Sequence, residues 1–227
     1  MGIHRESAPD RVAPEGGLTV GEGGRWIGLV VAYLVGSTPF AYVAGRLLRG
    51  IDLREHGSGN LGATNVLRTL GAGAAVVVLL LDAAKGALPV LVFPDGFGAP
   101  PGLWWPALFG LAAVAGHVRP YLGLFRGGGK GVATAAGVFG ALSPAAMGIA
   151  LAVFVGLVAA TRYVSVGSIG AGVALAMSSA VVYGPTSPRA ILAVLIAAFV
   201  VYTHRANLGR LRRGEESRLG APSAGTR

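Results

Sequence analysis

The chain is predicted to be all-α and polytopic, a bundle of seven transmembrane helices with some short spans. Three observations lead there. Only 13% of its 227 residues are charged, where a soluble domain carries about a quarter. Its mean hydropathy is +0.63, with the apolar residues gathered into runs near the ~20 needed to cross a bilayer. Finally, the basic residues sort to one side of those runs. No stretch of soluble composition is long enough to build a second core, so one membrane domain is expected over 26–204.

Residues 1–25 mix Arg5, Arg11 and Arg25 with acids, prolines and glycines. Such a segment buries too little apolar area to fold alone, and a disordered extension is expected. No apolar core follows its charged start at once, so it is not read as a signal peptide. Apolar spans follow at 26–46, 71–93, 103–118, 132–147, 148–161, 166–183 and 189–203. The fourth and fifth form one uncharged stretch from Val132 to Thr161. As a single helix it would be ~45 Å long, too long for a ~30 Å hydrocarbon core. Ser143-Pro144 is the natural break, because proline cannot continue the helical bonding. A basic tail is expected over 205–227.

Seven spans put 14 of the 19 Lys and Arg residues on one face: Arg46 at the end of the first span, and the rest in the loops 47–70, 117–131 and 162–166 and the tail. By the positive-inside rule that face is cytoplasmic and the N-terminus lies outside. Six spans would scatter these residues over both faces. The net charge of +9 and the pI near 10.8 thus reflect topology, and no nucleic-acid partner is expected. Cysteine is absent, which excludes disulfides, thiolate metal sites and a thioester carried on the protein. No metal or cofactor is expected.

The same assignment gathers every polar, glycine-rich motif on the cytoplasmic face. Glu55 to Arg68 reads EHGSGNLGATNVLR. Gly57, Gly59 and Gly62 permit positive φ, and successive amides in such turns form anion-binding nests. Ser58, Asn60, Thr64 and Asn65 add neutral donors, and Arg68 adds a fork suited to phosphate. The bland alternative is a polar loop ending in a helix cap at Thr64 or Asn65. Next come Gly116-His117-Val118-Arg119-Pro120 and Phe125-Arg126-Gly127-Gly128-Gly129-Lys130-Gly131. Gly128, Gly129 and Lys130 before an apolar helix have a phosphate-cradle composition. The spacing is not that of a nucleotide-binding P-loop. Ser165 and Ser168 share a helix face after Arg162-Tyr163, although a serine there serves equally well as a cap. His204 and Asn207 close the last span, and Arg210, Arg212 and Arg213 beyond them face anionic lipid. Asp82 and Lys85, three apart in the second span, read as a local intramembrane pair.

Together these segments resemble the acyl-phosphate-dependent glycerol-3-phosphate acyltransferases of bacteria, the PlsY family. The resemblance runs from about Val31 to Arg213. It rests on Gly-Ser-Thr-Pro-Phe at 36–40, Gly57–Arg68, Leu81-Asp82 through Lys85-Gly86, Gly116–Thr134, Arg162–Ser165, and His204 with Asn207. One departure stands out. Where the family reads aromatic-Lys-Gly-Gly-Lys-Gly, this chain has Arg126 in place of the first lysine and one extra glycine before Lys130.

The resemblance implies a seven-helix bundle in the bacterial inner membrane with a cytoplasmic active site. It implies transfer of an acyl chain from acyl-phosphate to the 1-hydroxyl of glycerol 3-phosphate, giving lysophosphatidate. Partners are then the two substrates, membrane lipids and, as a candidate, the enzyme that makes acyl-phosphate. Ser58, His204 and Asn207 take catalytic places; Gly57, Gly59, Asn60, Thr64, Asn65, Arg68, Gly128, Gly129, Lys130 and Ser165 take binding places. No histidine is followed five residues later by an acid, so direct attack without an acyl-enzyme is expected. The proton would go to a substrate phosphate or to His204. The alternative class is a transporter of a small phosphorylated or anionic solute. It predicts a polar midplane pathway and internal repeats, and the spans show neither beyond Asp82 and Lys85.

Overall fold

The computed structural model describes residues 23–123 and 127–220, and every regular element among them is helical. The order is α1 (Gly24–Gly36), α2 (Phe40–Arg49), α3 (Ala63–Leu70), α4 (Ala72–Gly96), α5 (Trp104–Val118), a 3-10 turn (Pro120–Gly123), α6 (Val132–Leu142), α7 (Pro144–Thr161), α8 (Val164–Tyr183), α9 (Pro188–Thr203) and α10 (Arg205–Arg212). All seven expected apolar segments are helical, and α5 and α6 are the short ones among them. By length and hydropathy, α1 with α2, α4, α7 and α8 are each able to cross a membrane. Helix α9 joins them only together with α10, beyond a 53° bend.

Two departures follow from single residues. The first span breaks at Ser37-Thr38-Pro39, where Pro39 precedes the first turn of α2. Helix α2 then ends on Gly50 at φ 67°, a left-handed C-cap, with Arg46 and Arg49 in its last turn favouring the negative end of its dipole. The fourth span stops at Leu142, not 147, because Ser143-Pro144 breaks the helix there and Pro144 opens α7. At 11 residues, α6 is ~16 Å long and ends inside the protein. Its last carbonyl, on Leu142, accepts a 2.6 Å hydrogen bond from Arg189 Nε.

Helices α3 and α10 lie where a loop and a tail were expected. Both are eight residues long and amphipathic, so a search for apolar runs passes over them. Helix α1 also takes in Gly24 and Arg25 of the expected extension, whose first 22 residues lie outside the described set.

Small residues set the helix spacing. Gly86 of α4 lies on the Thr134 backbone of α6, Gly137 of α6 on the Ala83 backbone, Gly36 of α1 on the Ala113 backbone, and Gly116 of α5 on the Tyr33 carbonyl. In lipid there is little hydrophobic force between helices, and close backbone approach of this kind supplies the packing instead. A central core of Val138, Phe139, Leu142, Leu175, Leu192 and Ile196 joins α6, α8 and α9, and Ala146 and Ala150 of α7 pack into it. A second core of Leu53, Leu61, Val66 and Val78 underlies the first glycine-rich loop. Leu80, Leu91, Val155, Val181 and Val194 point outward, as expected of a lipid-facing surface. The chain is a multi-pass membrane protein.

Gly137→Val should lower stability by about 1–3 kcal/mol through overpacking, read as a lower thermal unfolding midpoint in detergent. Gly140→Ala, where a Cβ meets nothing within 4 Å, should leave the midpoint equal or slightly higher. Equal midpoints for both variants would refute the close-packing account.

Candidate functional site

The Asp52–Gly62 loop is fastened from below. Asp52, 5% exposed, accepts bonds from Arg54 Nη2 at 2.5 Å and Arg54 Nε at 2.9 Å, and Arg46 lies at 3.4 Å. The Arg54 hydrogen bond outweighs burial and holds its carboxyl down at about 2. From the first turn of α3, Asn65 spends its amide on the loop. Its Oδ1 accepts the Ser58 N–H at 2.9 Å, and its Nδ2 donates to the Leu53 and His56 carbonyls at 3.1 and 3.0 Å. Gly57 (φ 62°) lies against that same Oδ1, where a Cβ would overlap it. Asn65 is thus committed to holding the Leu53–Ser58 backbone against α3, a role different from the free donor its residue type suggested. Asn60 Nδ2 donates to the Gly128 carbonyl at 3.3 Å and couples this loop to the next.

In that second loop, Gly128 and Gly129 lie on the end of α5. The Gly129 N–H donates to the His117 carbonyl at 3.2 Å. Gly131, at φ 81°, starts α6, and Lys130 Nζ donates to Asn207 Oδ1 at 2.5 Å. Burial pulls the Lys130 ammonium down to about 8; Glu216 opposes the fall, and Arg210 and Arg68 add to it. Arg126 lies outside the described residues.

Ser165, in the first turn of α8, is 4% exposed and donates to Glu216 Oε1 at 2.9 Å. Ser168 instead returns its hydroxyl to the Val164 carbonyl, so the two serines do different work. His204, between α9 and α10, has Nδ1 2.8 Å from the Val200 carbonyl. A carbonyl only accepts, so Nδ1 carries the hydrogen and Nε2 presents a lone pair. Burial, with Lys130's charge, holds this imidazole at about 4, and it is neutral at pH 7.

Glu216 is the residue that motif reading missed. Residues 213–220 turn back from α10, and the Leu219 N–H and carbonyl both bond Arg162. This return brings the Glu216 carboxylate to Ser165, to Asn207 Nδ2 at 2.5 Å and to Arg210 Nε at 2.7 Å. Burial pushes its pKa up, but the bonds from Asn207, Arg210 and Ser165 outweigh that and hold it below the ordinary glutamate range. Arg68 Nη2 donates to the neighbouring Ser217 carbonyl at 3.3 Å. The available signal was the acidic pair Glu215-Glu216 in an otherwise arginine-rich stretch.

These groups surround the mouth of a cavity of about 620 Å³. Ser58, Asn60, Thr64, Asn65, Arg68, Lys130, Ser165, His204 and Asn207 all line it, as do Arg210 and Glu216. Away from the mouth the walls turn mostly apolar, with Leu79, Leu80, Ala136, Leu151, Phe154, Leu175 and Ile196, although Asp82 and His117 also line the cavity. Gly57, Gly59, Gly128 and Gly129 are not on its wall; they shape the loops behind it. Ser58 is exposed, and its hydroxyl hydrogen-bonds no described base. The arrangement fits an anionic, hydroxyl-bearing head at the polar end and a long hydrocarbon chain in the apolar cleft.

A sequence model of the family described as Glycerol-3-phosphate acyltransferase matches residues 26–214. Among curated proteins, the Glycerol-3-phosphate acyltransferase of Halalkalibacterium halodurans is 42% identical over 202 residues, covering 86% of this chain and 95% of that one. The protein of the same name from Trichlorobacter lovleyi is 48% identical over 192 residues, covering 84% and 95%. Two crystal structures of PlsY (YgiH), an integral membrane glycerol 3-phosphate acyltransferase, are also similar. Its glycerol 3-phosphate form is 40% identical with a TM-score of 0.79, covering 87% of this chain and 96% of that one. Its lysophosphatidic acid form is 39% identical with a TM-score of 0.77, covering 88% and 98%.

Glu216→Gln should lower the unfolding midpoint at neutral pH, since Arg210, Asn207 and Ser165 lose their charged acceptor. A carboxyl whose folded pKa is depressed stabilises above its unfolded pKa and loses that effect as pH falls through the folded one. The gap between wild type and variant should therefore close on acidification below the ordinary glutamate range. A gap independent of pH would contradict this role for the charge.

Proposed function

The chain belongs to the glycerol-3-phosphate acyltransferase family, and from that premise we propose that it moves a fatty acyl group from acyl-phosphate to the 1-hydroxyl of glycerol 3-phosphate. The products are lysophosphatidic acid and inorganic phosphate, the first acylation of phospholipid synthesis. The observation that carries this reading is the convergence of Lys130, Asn207, Ser165 and His204 on the mouth of one apolar cavity. The names of the matching relatives, and the two bound forms of the similar crystal structures, agree with it.

In this reading, Lys130, Asn207, Ser165 and His204 receive glycerol 3-phosphate, with Glu216 keeping the amide and hydroxyl oriented. Ser58, Thr64 and Arg68 receive the acyl-phosphate head, and the acyl chain lies in the apolar cleft. The glycerol 1-oxygen attacks the acyl carbonyl carbon, the bond from that carbon to the bridging phosphate oxygen breaks, and phosphate leaves with the electron pair. Mixed anhydrides are already activated, so most of the rate comes from positioning and from stabilising the developing oxyanion. The hydroxyl proton goes to a substrate phosphate. A phosphate monoester has its second ionisation near pH ~6, whereas His204 is held at about 4 and is the weaker base. His204 Nε2 instead accepts a hydrogen bond from a substrate hydroxyl and orients it. Ser58, whose hydroxyl hydrogen-bonds no base among the described residues, donates a hydrogen bond rather than forming an acyl-enzyme.

In this reading the mouth lies at the cytoplasmic face of the bacterial inner membrane with the N-terminus outside, an orientation that the arginine-rich loops and C-terminal segment support. There it meets water-soluble glycerol 3-phosphate from one side and lipid-borne acyl chains from the other.

Detergent-purified protein given acyl-phosphate and glycerol 3-phosphate should release phosphate. Arg68→Ala and Lys130→Ala should each lower kcat/KM about a hundredfold or more, the loss typical of one anion-stabilising donor. Turnover with acyl-CoA or acyl-carrier protein but not acyl-phosphate would refute the donor, and a covalent adduct on Ser58 would refute direct transfer. The lowered Lys130 pKa also sets a pH limit. Its charge is present below about 8 and lost above it, so kcat/KM for glycerol 3-phosphate should fall as pH rises through that value. Lys130→Arg should move the fall to higher pH; an identical profile in both proteins would exclude Lys130 as its source.

A further inference from the structure

The intramembrane polar cluster of α4 and α5 is not used by this scheme. Asp82, Lys85 and His117 are 1%, 5% and 5% exposed. Lys85 Nζ lies 2.7 Å from Asp82 Oδ1 and donates to the Thr38 carbonyl, also at 2.7 Å, in the break between α1 and α2. Asp82 Oδ2 and His117 Nδ1 are buried without hydrogen-bond partners among the described residues, and His117 Nδ1 stands 3.6 Å from Asp82 Oδ1. His117 Nδ1 thus faces the carboxylate from the side of the oxygen that Lys85 holds, and a shift of a few tenths of an ångström closes that gap to a hydrogen bond.

The other side of the imidazole meets the glycine loop. His117 Nε2 abuts Gly129, where a Cβ would overlap it, and the His117 carbonyl takes the Gly129 N–H. Asp82, His117, Gly128 and Gly129 bound a cavity of about 10 Å³, the size of one water, and Asp82 and His117 also stand on the wall of the cavity of about 620 Å³. Lys130 is the next residue along the chain.

We propose that Asp82 and His117 are positioning residues for the acyl transfer: Asp82 orients the His117 ring, and the ring and carbonyl of His117 fix Gly129 and thereby the reach of Lys130. Through Lys85 and Thr38 the same cluster registers the broken first span against the loop. This inference rests on the reading that Lys130 binds glycerol 3-phosphate.

The test is a cycle of wild type, His117→Ala, Gly129→Ala and His117→Ala/Gly129→Ala. It follows kcat, KM for each substrate, and glycerol 3-phosphate binding by calorimetry in detergent. His117→Ala should raise KM and Kd for glycerol 3-phosphate about tenfold, a displacement effect, with kcat and the donor KM kept within about threefold. Gly129→Ala should do at least as much, and removing the imidazole should make room for the new methyl, so that the double variant binds better than Gly129→Ala. Asp82→Asn should shift glycerol 3-phosphate affinity in the same direction as His117→Ala. If His117→Ala does not fold, His117→Gln takes its place in the cycle.

A double variant whose loss equals the product of the single losses would overturn the proposal, as would a uniform fall in kcat with both KM values unchanged. If the wild type turned over no acyl-phosphate, the donor reading would fail, and the calorimetric arm would still decide this inference.

Discussion

Irregular backbone in an apolar chain has to find its hydrogen bonds inside the protein, and that requirement organises everything at the polar end of this fold. The Leu53–Ser58 segment has no ladder or helix of its own, and the Asn65 amide serves three of its backbone groups at once. The Gly129 amide is taken by the His117 carbonyl, and the Thr38 carbonyl at the helix break is taken by Lys85. At the inner end of α6, Arg189 takes the Leu142 carbonyl. Each of these groups, the three side chains and the His117 carbonyl, comes from a regular helix. The loops that line the cavity are thereby tied to the helices beside them.

Electrostatics then decides which of the fixed groups are chemically ready. Lys130, Arg68 and Arg210 converge on one mouth, and three cations alone would repel one another. The Glu216 carboxylate lies among them, bonded to Arg210 directly and to Lys130's partner Asn207. Its presence keeps Lys130 charged near neutrality despite burial, while the same burial leaves His204 uncharged. The mouth thus offers cationic and neutral donors together with one neutral acceptor, a set matched to a phosphate carried on a polyol.

Much of this was legible in the sequence. The apolar runs, the Ser143-Pro144 break and the donor-rich segments all reappear, and Ser58, Arg68, Lys130, Ser165, His204 and Asn207 line one cavity. The departures share a cause. Helices α3 and α10 are short and amphipathic, so hydropathy over a long window does not register them. Asn65 has the residue type of a substrate donor, and only its neighbours show that its amide is already used. Glu216 sits in an arginine-rich tail whose return toward α8 has no local signature.

The sequence by itself determined the class of molecule, the positions of its long apolar helices and the donor-rich character of the segments between them. Those are properties of local composition: hydropathy, proline breaks and charge asymmetry act over windows of about twenty residues. Tertiary structure alone decided which polar group answers which. Lys130 meets Asn207 across 77 positions and Ser165 meets Glu216 across 51. Such pairs are set by how helices pack through their small residues, and no periodicity in the chain encodes them.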